Sequence, residues 1–207
     1  MPGEDGAFLI NPFGLMYDEV TASNLVKIDI NGIVLDDPLG GGINGAGFVI
    51  HGAVHAARHD LACVVHTHTR AGVAVSAQKS GLLPLSQHAA MLCGRIGYHD
   101  FEGIAMRLDE QERLVANLGS HDVLILRNHG LLVAGPTLEA AFSRLVVLER
   151  ACEIQIATQA CGDLNLITKQ SVDETQAIID SAAVDHTIEW RAMERMIDRV
   201  TAGAYRH

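Results

Sequence analysis

The stretch from residue 62 to residue 69, Ala-Cys-Val-Val-His-Thr-His-Thr, joins a short apolar run to a pair of histidines. The apolar run Ala62–Val65 predicts a buried strand that ends just before His66. Side chains two residues apart on a strand point to the same face, so His66 and His68 can direct both imidazoles to one point. The pair alone is more typical of two half-buried strand histidines that bond to the backbone.

A third histidine follows a second apolar run, 61 residues after His68. Asp122–Leu126 predicts another buried strand, and His129 lies in the polar turn after it, next to Gly130, which lets backbone approach closely. Three neutral imidazoles with an open fourth position are the pattern of a catalytic zinc or similar ion. His66, His68 and His129 are therefore candidate metal ligands, with zinc as the first choice and manganese, iron or cobalt as alternatives, but sequence periodicity does not show that the three meet in space.

Short apolar strands and amphipathic helices alternate along the rest of the chain. Leu25–Ile30 alternates apolar and polar residues, and the Asn31-Gly32 pair after it is a typical hairpin turn. Ala46–Arg58 repeats its apolar residues with the period of a helix. Further strands are predicted at Ala7–Ile10, Ile33–Leu35, Leu92–Tyr98 and Leu131–Ala134, and further helices at Arg70–Lys79, Asp109–Leu118, Thr137–Ala160, Asp173–Ala183 and Val184–Val200.

This order of elements predicts an α/β fold, with helices covering the faces of a mixed or antiparallel central sheet. The sequence contains no internal repeat and no low-complexity linker. We therefore expect residues 1–207 to form a single domain, with C-terminal helices at about 173–200.

Composition and charge exclude several classes of protein. The 207 residues are 48% hydrophobic and 19% charged, which excludes a disordered chain. No apolar run approaches the roughly 18 residues of a membrane span, and the first ten residues lack the pattern of a signal peptide. The formal charge of −10, without a basic face, argues against a nucleic-acid partner. Four cysteines without a Cys-x-x-Cys pair are expected to be reduced, which fits a cytoplasmic protein.

Several long motifs resemble the class II aldolase/adducin family. They are Val-Val-His66-Thr-His68-Thr, Leu-Arg-Asn-His129-Gly-Leu and the Gly-Pro-Thr-Leu-Glu-Ala-Ala-Phe segment from Gly135 to Phe142. Within the family, the resemblance is strongest to the head domain of adducin. The matching stretches are Phe8-Leu-Ile-Asn-Pro-Phe-Gly-Leu, Thr21-Ala-Ser-Asn-Leu-Val-Lys, Gly81-Leu-Leu-Pro, Gly97-Tyr-His-Asp and Ala151-Cys-Glu-Ile-Gln.

This resemblance implies a three-layer α/β/α sandwich and a homotetramer with sites at subunit interfaces. It also implies that His66, His68 and His129 hold a divalent ion that polarises a carbonyl or enediolate of a small-molecule substrate. The family fold begins with helices and a strand that would precede Ala7. We therefore expect an N-terminal segment of the fold, and with it part of the sheet edge, to be missing.

The chain departs from the aldolase pattern at the expected phosphate and acid/base residues. Where the aldolases have Ser-Ser-Glu, this chain has Gly45-Ala46-Gly47, and a glycine can neither bind a metal nor accept a proton. Phe13 also stands where the aldolase phosphate loop has a small hydroxyl residue. These departures predict an unphosphorylated substrate and a different proton carrier.

Two histidines are candidates for that proton carrier. His51 lies four residues before His55 on the helix after Gly47, so the two share a face. His51 can replace the missing base, or it can belong to a polar helix face or hydrogen-bond to a metal ligand. Gln87 and His88 fall near the place of an aldolase tyrosine that acts at a neighbouring subunit's site. His88 is therefore either a proton carrier or a surface loop residue.

Other residues have structural explanations that are as good or better. Tyr98 and His99 follow a strand and can approach the pocket, but packing at the sheet end is the stronger interpretation. Arg127 and Asn128 can orient His129 or bind a substrate carboxylate, and a turn role explains them equally well. Trp190 lies in an amphipathic pattern and is expected to pack against the core or another subunit.

The sequence supports two functional hypotheses of different classes. The first is a metal-dependent lyase, an aldehyde-lyase or carboxy-lyase that acts on a small, unphosphorylated oxo- or hydroxy-acid through a metal-stabilised enolate. The second is a non-catalytic oligomerisation or binding module like the adducin head. Actin or spectrin binding is not expected, because it depends largely on an adducin tail that this sequence lacks. A truncated, inactive gene product is a third interpretation.

Overall fold

The computed structural model describes residues 6–182 and 184–206. Within these ranges the chain forms seven strands and seven α-helices. The strands are β1 (Ala7–Ile10), β2 (Val26–Asp29), β3 (Val34–Asp36), β4 (Cys63–Thr67), β5 (Gly97–His99), β6 (Val123–Leu126) and β7 (Gly130–Gly135). The helices are α1 (Gly45–Ala57), α2 (Arg70–Ser76), α3 (Gln87–Leu92), α4 (Glu110–Leu118), α5 (Leu138–Gln159), α6 (Lys169–Ser181) and α7 (Thr187–Thr201).

The central sheet has four strands in the order β4-β7-β6-β5. The β4–β7 and β7–β6 pairs are antiparallel, whereas β5 and β6 are parallel, which confirms the prediction of a mixed sheet. Every residue of β6 and β7 is buried. An apolar strand without alternation is expected where helices cover both faces of a sheet.

Alternate residues of the two central strands face two different helical layers. Leu124 and Leu132 belong to a core cluster that α1 and α4 complete. Ile125 and Leu131 belong to a second cluster, completed by α2, α3 and α5. Helices therefore pack on both faces of the sheet, and the predicted three-layer α/β/α arrangement is confirmed.

A small antiparallel sheet, β1-β2-β3, packs against the first helix. Phe8, Ile10, Val26 and Ile28 form its apolar side together with Phe48 of α1. The predicted hairpin at Asn31-Gly32 is present, and Gly32 has φ +83°, a conformation that suits glycine.

The prediction of a strand over Leu92–Tyr98 was wrong for Leu92–Ile96. Leu92 is the last residue of the helix α3, which begins after Ser86, whose hydroxyl accepts a hydrogen bond from the Ala89 amide. The chain then turns: the Arg95 amide donates to the Leu92 carbonyl oxygen at 2.9 Å, and Gly94 has φ +83°. Only Gly97–His99 pairs as a strand.

The C-terminal helices begin at places other than those predicted. The helix α6 begins at Lys169 rather than Asp173, because the Thr168 hydroxyl accepts a hydrogen bond from the Ser171 amide. The helix α7 begins at Thr187 rather than Val184. Ala183, the predicted end of the first of these helices, lies outside the described residues. In the part of the chain that the structure describes, no helix is both long and apolar enough to cross a membrane.

Candidate metal centre and cleft

The antiparallel β4–β7 pair brings the two histidine motifs together. Thr67, between His66 and His68, is paired with Leu131, two residues after His129. The imidazole centroids lie 4.7 Å apart for His66 and His68, 4.9 Å for His66 and His129, and 4.6 Å for His68 and His129. One nitrogen from each ring falls within 4.8 Å of the others. These three residues are called the three-histidine cluster below.

A backbone carbonyl fixes the tautomer of His66. Its Nδ1 lies 2.9 Å from the Leu131 carbonyl oxygen, an acceptor, so Nδ1 must carry the proton and donate it. The other nitrogen, Nε2, therefore keeps its lone pair, and it lies 2.8 Å from Nε2 of His68. A histidine that ligates a metal typically donates its second ring N–H to a carbonyl or carboxylate in this way.

Burial lowers the pKa values of two members of the cluster. The pKa of His66 is lowered to about 3, chiefly by burial, and the neighbouring imidazoles of His129 and His68 contribute to this value. Burial is also the main reason why the pKa of His129 lies below its ordinary value, with His68 and His99 contributing. Three imidazole nitrogens around one point are a donor set that fits a zinc-type ion.

Gly130 allows the two strands to approach at this point. A Cβ atom at position 130 would overlap the Thr67 carbonyl oxygen and come within 3.1 Å of Cδ2 of His68. The predicted close approach beside His129 is therefore confirmed. The preceding Asn128 has φ +58°, so it supplies the left-handed residue of the turn.

The three-histidine cluster lies in a cleft of about 750 Å³. Asn11, Tyr17 and Asn44 contribute polar groups to the wall, and Ile10 and Ile50 contribute apolar surface. Among the described residues that line this cleft, none is a lysine, arginine, aspartate or glutamate. The walls therefore offer neither a cation for a phosphate nor a carboxylate for proton transfer.

Gly47 lies on the cleft wall in the first turn of α1. The side-chain oxygen of Asn44 caps the helix by accepting from the amides of Ala46 at 3.0 Å and Gly47 at 3.4 Å. A Cβ atom at position 47 would have Asn44 Cβ as its nearest neighbour at 3.7 Å, an ordinary contact. The cleft therefore has space for a side chain at the position where the aldolase pattern has glutamate.

His51 lies one turn further along α1 and also lines the cleft. It borders a second pocket of about 290 Å³, to which His55 and Cys63 contribute. Burial lowers the pKa of both His51 and His55 to about 4, and in the case of His51 the nearby His55 adds to the effect. The shared helix face is thus confirmed, and both rings are neutral at pH 7.

His88 lies elsewhere. It belongs to the first turn of α3, so it is not a loop residue, and it does not line the cleft of its own chain. Its neighbour Gln87 is exposed. The proton-transfer role predicted for His88 therefore concerns a neighbouring subunit's cleft.

Arg127 and Asn128 make contacts that support the turn. The Arg127 guanidinium donates to the Gln78 carbonyl oxygen at 3.1 Å and lies 4.6 Å from the centre of the Tyr98 ring. The Asn128 amide donates to the carbonyl oxygen of Ser76 at 3.2 Å. These contacts favour the structural interpretation that the sequence left open.

Sequence reasoning missed a hydrogen bond next to the three-histidine cluster. The Thr69 hydroxyl donates to Oε2 of Glu149 at 2.6 Å and accepts from the Gly72 amide at 3.1 Å. A threonine before an apolar helical run is a recognisable helix cap, so the sequence could have predicted the hydrogen bond from the Gly72 amide. No feature of the sequence predicts the hydrogen bond to Glu149 of α5, 80 residues away.

The fold and the cluster together define a class of protein. An α/β/α sandwich with three histidines gathered at one strand pair is the arrangement expected of the aldolase II superfamily. The chain belongs to the family described as Class II Aldolase and Adducin N-terminal domain, whose profile matches residues 2–156.

Relatives and solved structures agree with this membership. The structure of an aldolase II superfamily protein from Pseudomonas syringae is 52% identical and superimposes with a TM-score of 0.93, covering 100% of this chain and 83% of that one. The L-fuculose 1-phosphate aldolase from Glaciozyma antarctica is 26% identical, with a TM-score of 0.84, over 100% of this chain and 80% of that one. Mouse alpha-adducin is 51% identical over 168 residues, which are 79% of this chain and 23% of adducin.

Proposed function

We propose that the chain is a divalent-metal-dependent lyase that acts on a small, unphosphorylated oxo- or hydroxy-acid. The observation that carries this proposal is the three-histidine cluster, which lines an open cleft. His66, His68 and His129 would hold the ion, with zinc as the first choice. The ion would supply a Lewis acid that stabilises an enolate oxygen of the substrate.

The walls of the cleft support the choice of substrate class. The strong hydrogen bonds that bind a phosphate commonly come from arginine or lysine, and the described lining residues contain neither. A substrate carboxylate or carbonyl instead requires few donors, which Asn11, Tyr17 and Asn44 can provide. Cleavage of the aldol type or decarboxylation would then proceed through the enolate.

The proposal also includes the residue that transfers the proton, for which His51 and His88 are the candidates. His51 lines the cleft and its neutral imidazole can accept a proton. His88 would act only across a subunit interface in a homotetramer. Replacing His51 by glutamine should therefore slow turnover in every subunit, whereas replacing His88 should do so only in an assembled oligomer.

Metal content per subunit is the first experiment. Elemental analysis of protein purified without chelator should give close to one zinc, manganese, iron or cobalt ion, and His66→Ala and His129→Ala should lose it. His59→Ala is a matched control, because His59 is exposed and outside the cleft. A wild-type protein without bound ion that also fails to take up added Zn²⁺ or Co²⁺ would contradict the proposal.

A second experiment tests the chemistry without knowledge of the natural substrate. Enolate formation exchanges the hydrogens next to the carbonyl of a 2-oxo acid, so NMR can follow deuterium incorporation into pyruvate and 2-oxobutyrate. We expect exchange with the metal-loaded wild type and none with His66→Ala. Absence of exchange over a panel of 2-oxo acids, despite a bound ion, would count against the lyase proposal.

A non-catalytic module is the second candidate, and a specific observation favours it. The chain shares 51% identity with alpha-adducin over the aligned region, and it has glycine in place of the catalytic carboxylate. This candidate predicts a stable homo-oligomer without turnover. Native mass measurement combined with the exchange assay separates the two functions.

A further inference from the structure

A buried histidine and a buried glutamate lie behind the three-histidine cluster. His99 and Glu110 are each only 4% exposed. Nε2 of His99 lies 3.3 Å from Oε1 of Glu110, and Nδ1 lies 2.8 Å from Oδ1 of Asn117. The pair is outside the 750 Å³ cleft, and the proposed chemistry gives it no role.

The carboxylate of Glu110 can accept more hydrogen bonds than the one it receives from His99. A carboxylate offers about four lone-pair directions. Among the described residues, His99 is the side chain that hydrogen-bonds to Glu110. The nearby Arg107 and Arg113 donate to Glu102 instead. A buried carboxylate is costly unless further donors satisfy it.

His129 connects this pair to the cleft. It lines the cleft and also a small cavity of about 10 Å³ whose wall includes His99, Glu102, Glu110 and Arg127. A space of roughly 10–15 Å³ is the smallest that holds one water molecule, provided that two or more polar groups surround it. Within residues 6–182 and 184–206, the His129 ring makes no direct hydrogen bond, in contrast to the His66 ring, which bonds to the Leu131 carbonyl oxygen.

We propose that one water molecule in this cavity links the His129 ring to the Glu110 carboxylate, so that Glu110 is a positioning residue for the metal centre. The ring nitrogen turned away from His66 and His68 donates to the water, and the water donates to Glu110. The carboxylate then has a second donor besides His99. This hydrogen bond fixes the tautomer and the ring orientation of His129, so that its other nitrogen stays free for a metal. The Leu131 carbonyl oxygen has the same effect on His66.

This inference rests on the proposed function, since it concerns affinity for the ion. The test measures the Kd of Co²⁺ by chelator competition, together with the visible spectrum of bound Co²⁺, for wild type, Glu110→Gln and Glu110→Asp. Glu112→Gln is the matched control, because Glu112 is exposed on the same helix. Thermal unfolding of the metal-free proteins shows whether each variant folds.

We expect Glu110→Gln to raise the Kd by about 10- to 100-fold, with a changed Co²⁺ spectrum and an unchanged control. A Kd within twofold of wild type for a folded Glu110→Gln would overturn the inference. Wild type that binds no Co²⁺ would instead refute the proposed function. If Glu110→Gln does not fold, a high-resolution crystal structure of the wild type decides, and absence of an ordered water between His129 and Glu110 overturns the inference.

Discussion

The Cα of Gly130 packs against the backbone carbonyl of Thr67, and no side chain can be placed at position 130 without moving that carbonyl. This contact joins the start of β7 to the end of β4, at the level of the three-histidine cluster. The cluster therefore depends on a residue that has no side chain at all.

Replacing Gly130 by alanine should weaken metal binding although every histidine is retained. The added methyl group would push Thr67 away and displace His68, whose Cδ2 would lie 3.1 Å from the new atom. We expect the Kd for Co²⁺ to rise at least about tenfold, since displaced ligands lose the geometry that the ion requires. Gly47→Ala is the control, because its Cβ meets no atom closer than 3.7 Å. Equal affinity of both variants would contradict this prediction.

The Thr69 hydroxyl should contribute to stability through both of its hydrogen bonds. Thr69→Val removes the cap of α2 and the donor to Glu149, so we expect a loss of about 1–3 kcal/mol in the free energy of unfolding. Thr69→Ser keeps the hydroxyl and should remain within about 1 kcal/mol of wild type. Urea denaturation of the metal-free proteins measures both values. A valine variant as stable as the serine variant would show that the hydroxyl contributes nothing.

Three half-buried histidines with lowered pKa values should make the metal-free protein less stable as the pH falls. The pKa values of His51 and His55 are lowered to about 4, and that of His66 to about 3, whereas the unfolded chain protonates each near its ordinary value of about 6.5. Unfolding then takes up protons, so stability is complete above pH 6.5 and is lost as the pH falls towards 4. Each histidine contributes a slope of up to about 1.4 kcal/mol per pH unit in this window.

Denaturation in the presence of a chelator, at several pH values between 7 and 4.5, checks this slope. His55→Gln should reduce it by about one proton, because glutamine does not titrate. His59→Gln should leave it unchanged, since His59 is exposed. Identical slopes for the two variants would rule out the buried imidazoles as its source.

Gly47→Glu should strengthen metal binding by restoring a carboxylate to the cleft wall. The position has space for a Cβ atom, and it lies in the first turn of α1, where a negative charge is favourable. We expect the Kd for Co²⁺ to fall at least about tenfold if the carboxylate becomes a fourth ligand. Gly45→Glu controls for the helix dipole, because Gly45 lies in the same turn but does not line the cleft. Equal effects of both variants would mean that the glutamate does not reach the ion.

The three-layer arrangement and the meeting of the three histidines were implied by the resemblance to the class II aldolase/adducin family rather than by periodicity. The apolar runs Asp122–Leu126 and Leu131–Ala134 predicted two buried strands. The His-x-His pair needed only the two-residue repeat of a strand. These signals are local, so one sequence is enough to show them.

The parts that sequence reasoning missed depend on contacts between distant segments. The strand predicted over Leu92–Tyr98 was wrong up to Ile96, because the helix that Ser86 caps runs to Leu92 and the chain turns at Gly94 before it enters β5. The Thr69–Glu149 and His99–Glu110 hydrogen bonds join segments that no periodicity relates. The functional roles of His51 and His88 stay predictions, since position in the fold does not establish proton transfer.

The strand β4 is the edge strand of the central sheet; it carries His66, and His68 follows directly after its last residue, Thr67. An ion bound by those histidines and His129 would hold this edge strand against β7. Without the ion, separation of β4 would expose the backbone groups of β7, which is an entirely buried apolar strand. Such an exposed strand can pair with another chain. Metal supply would then govern resistance to aggregation as well as catalysis, so metal starvation would first reduce the amount of usable protein in the cell.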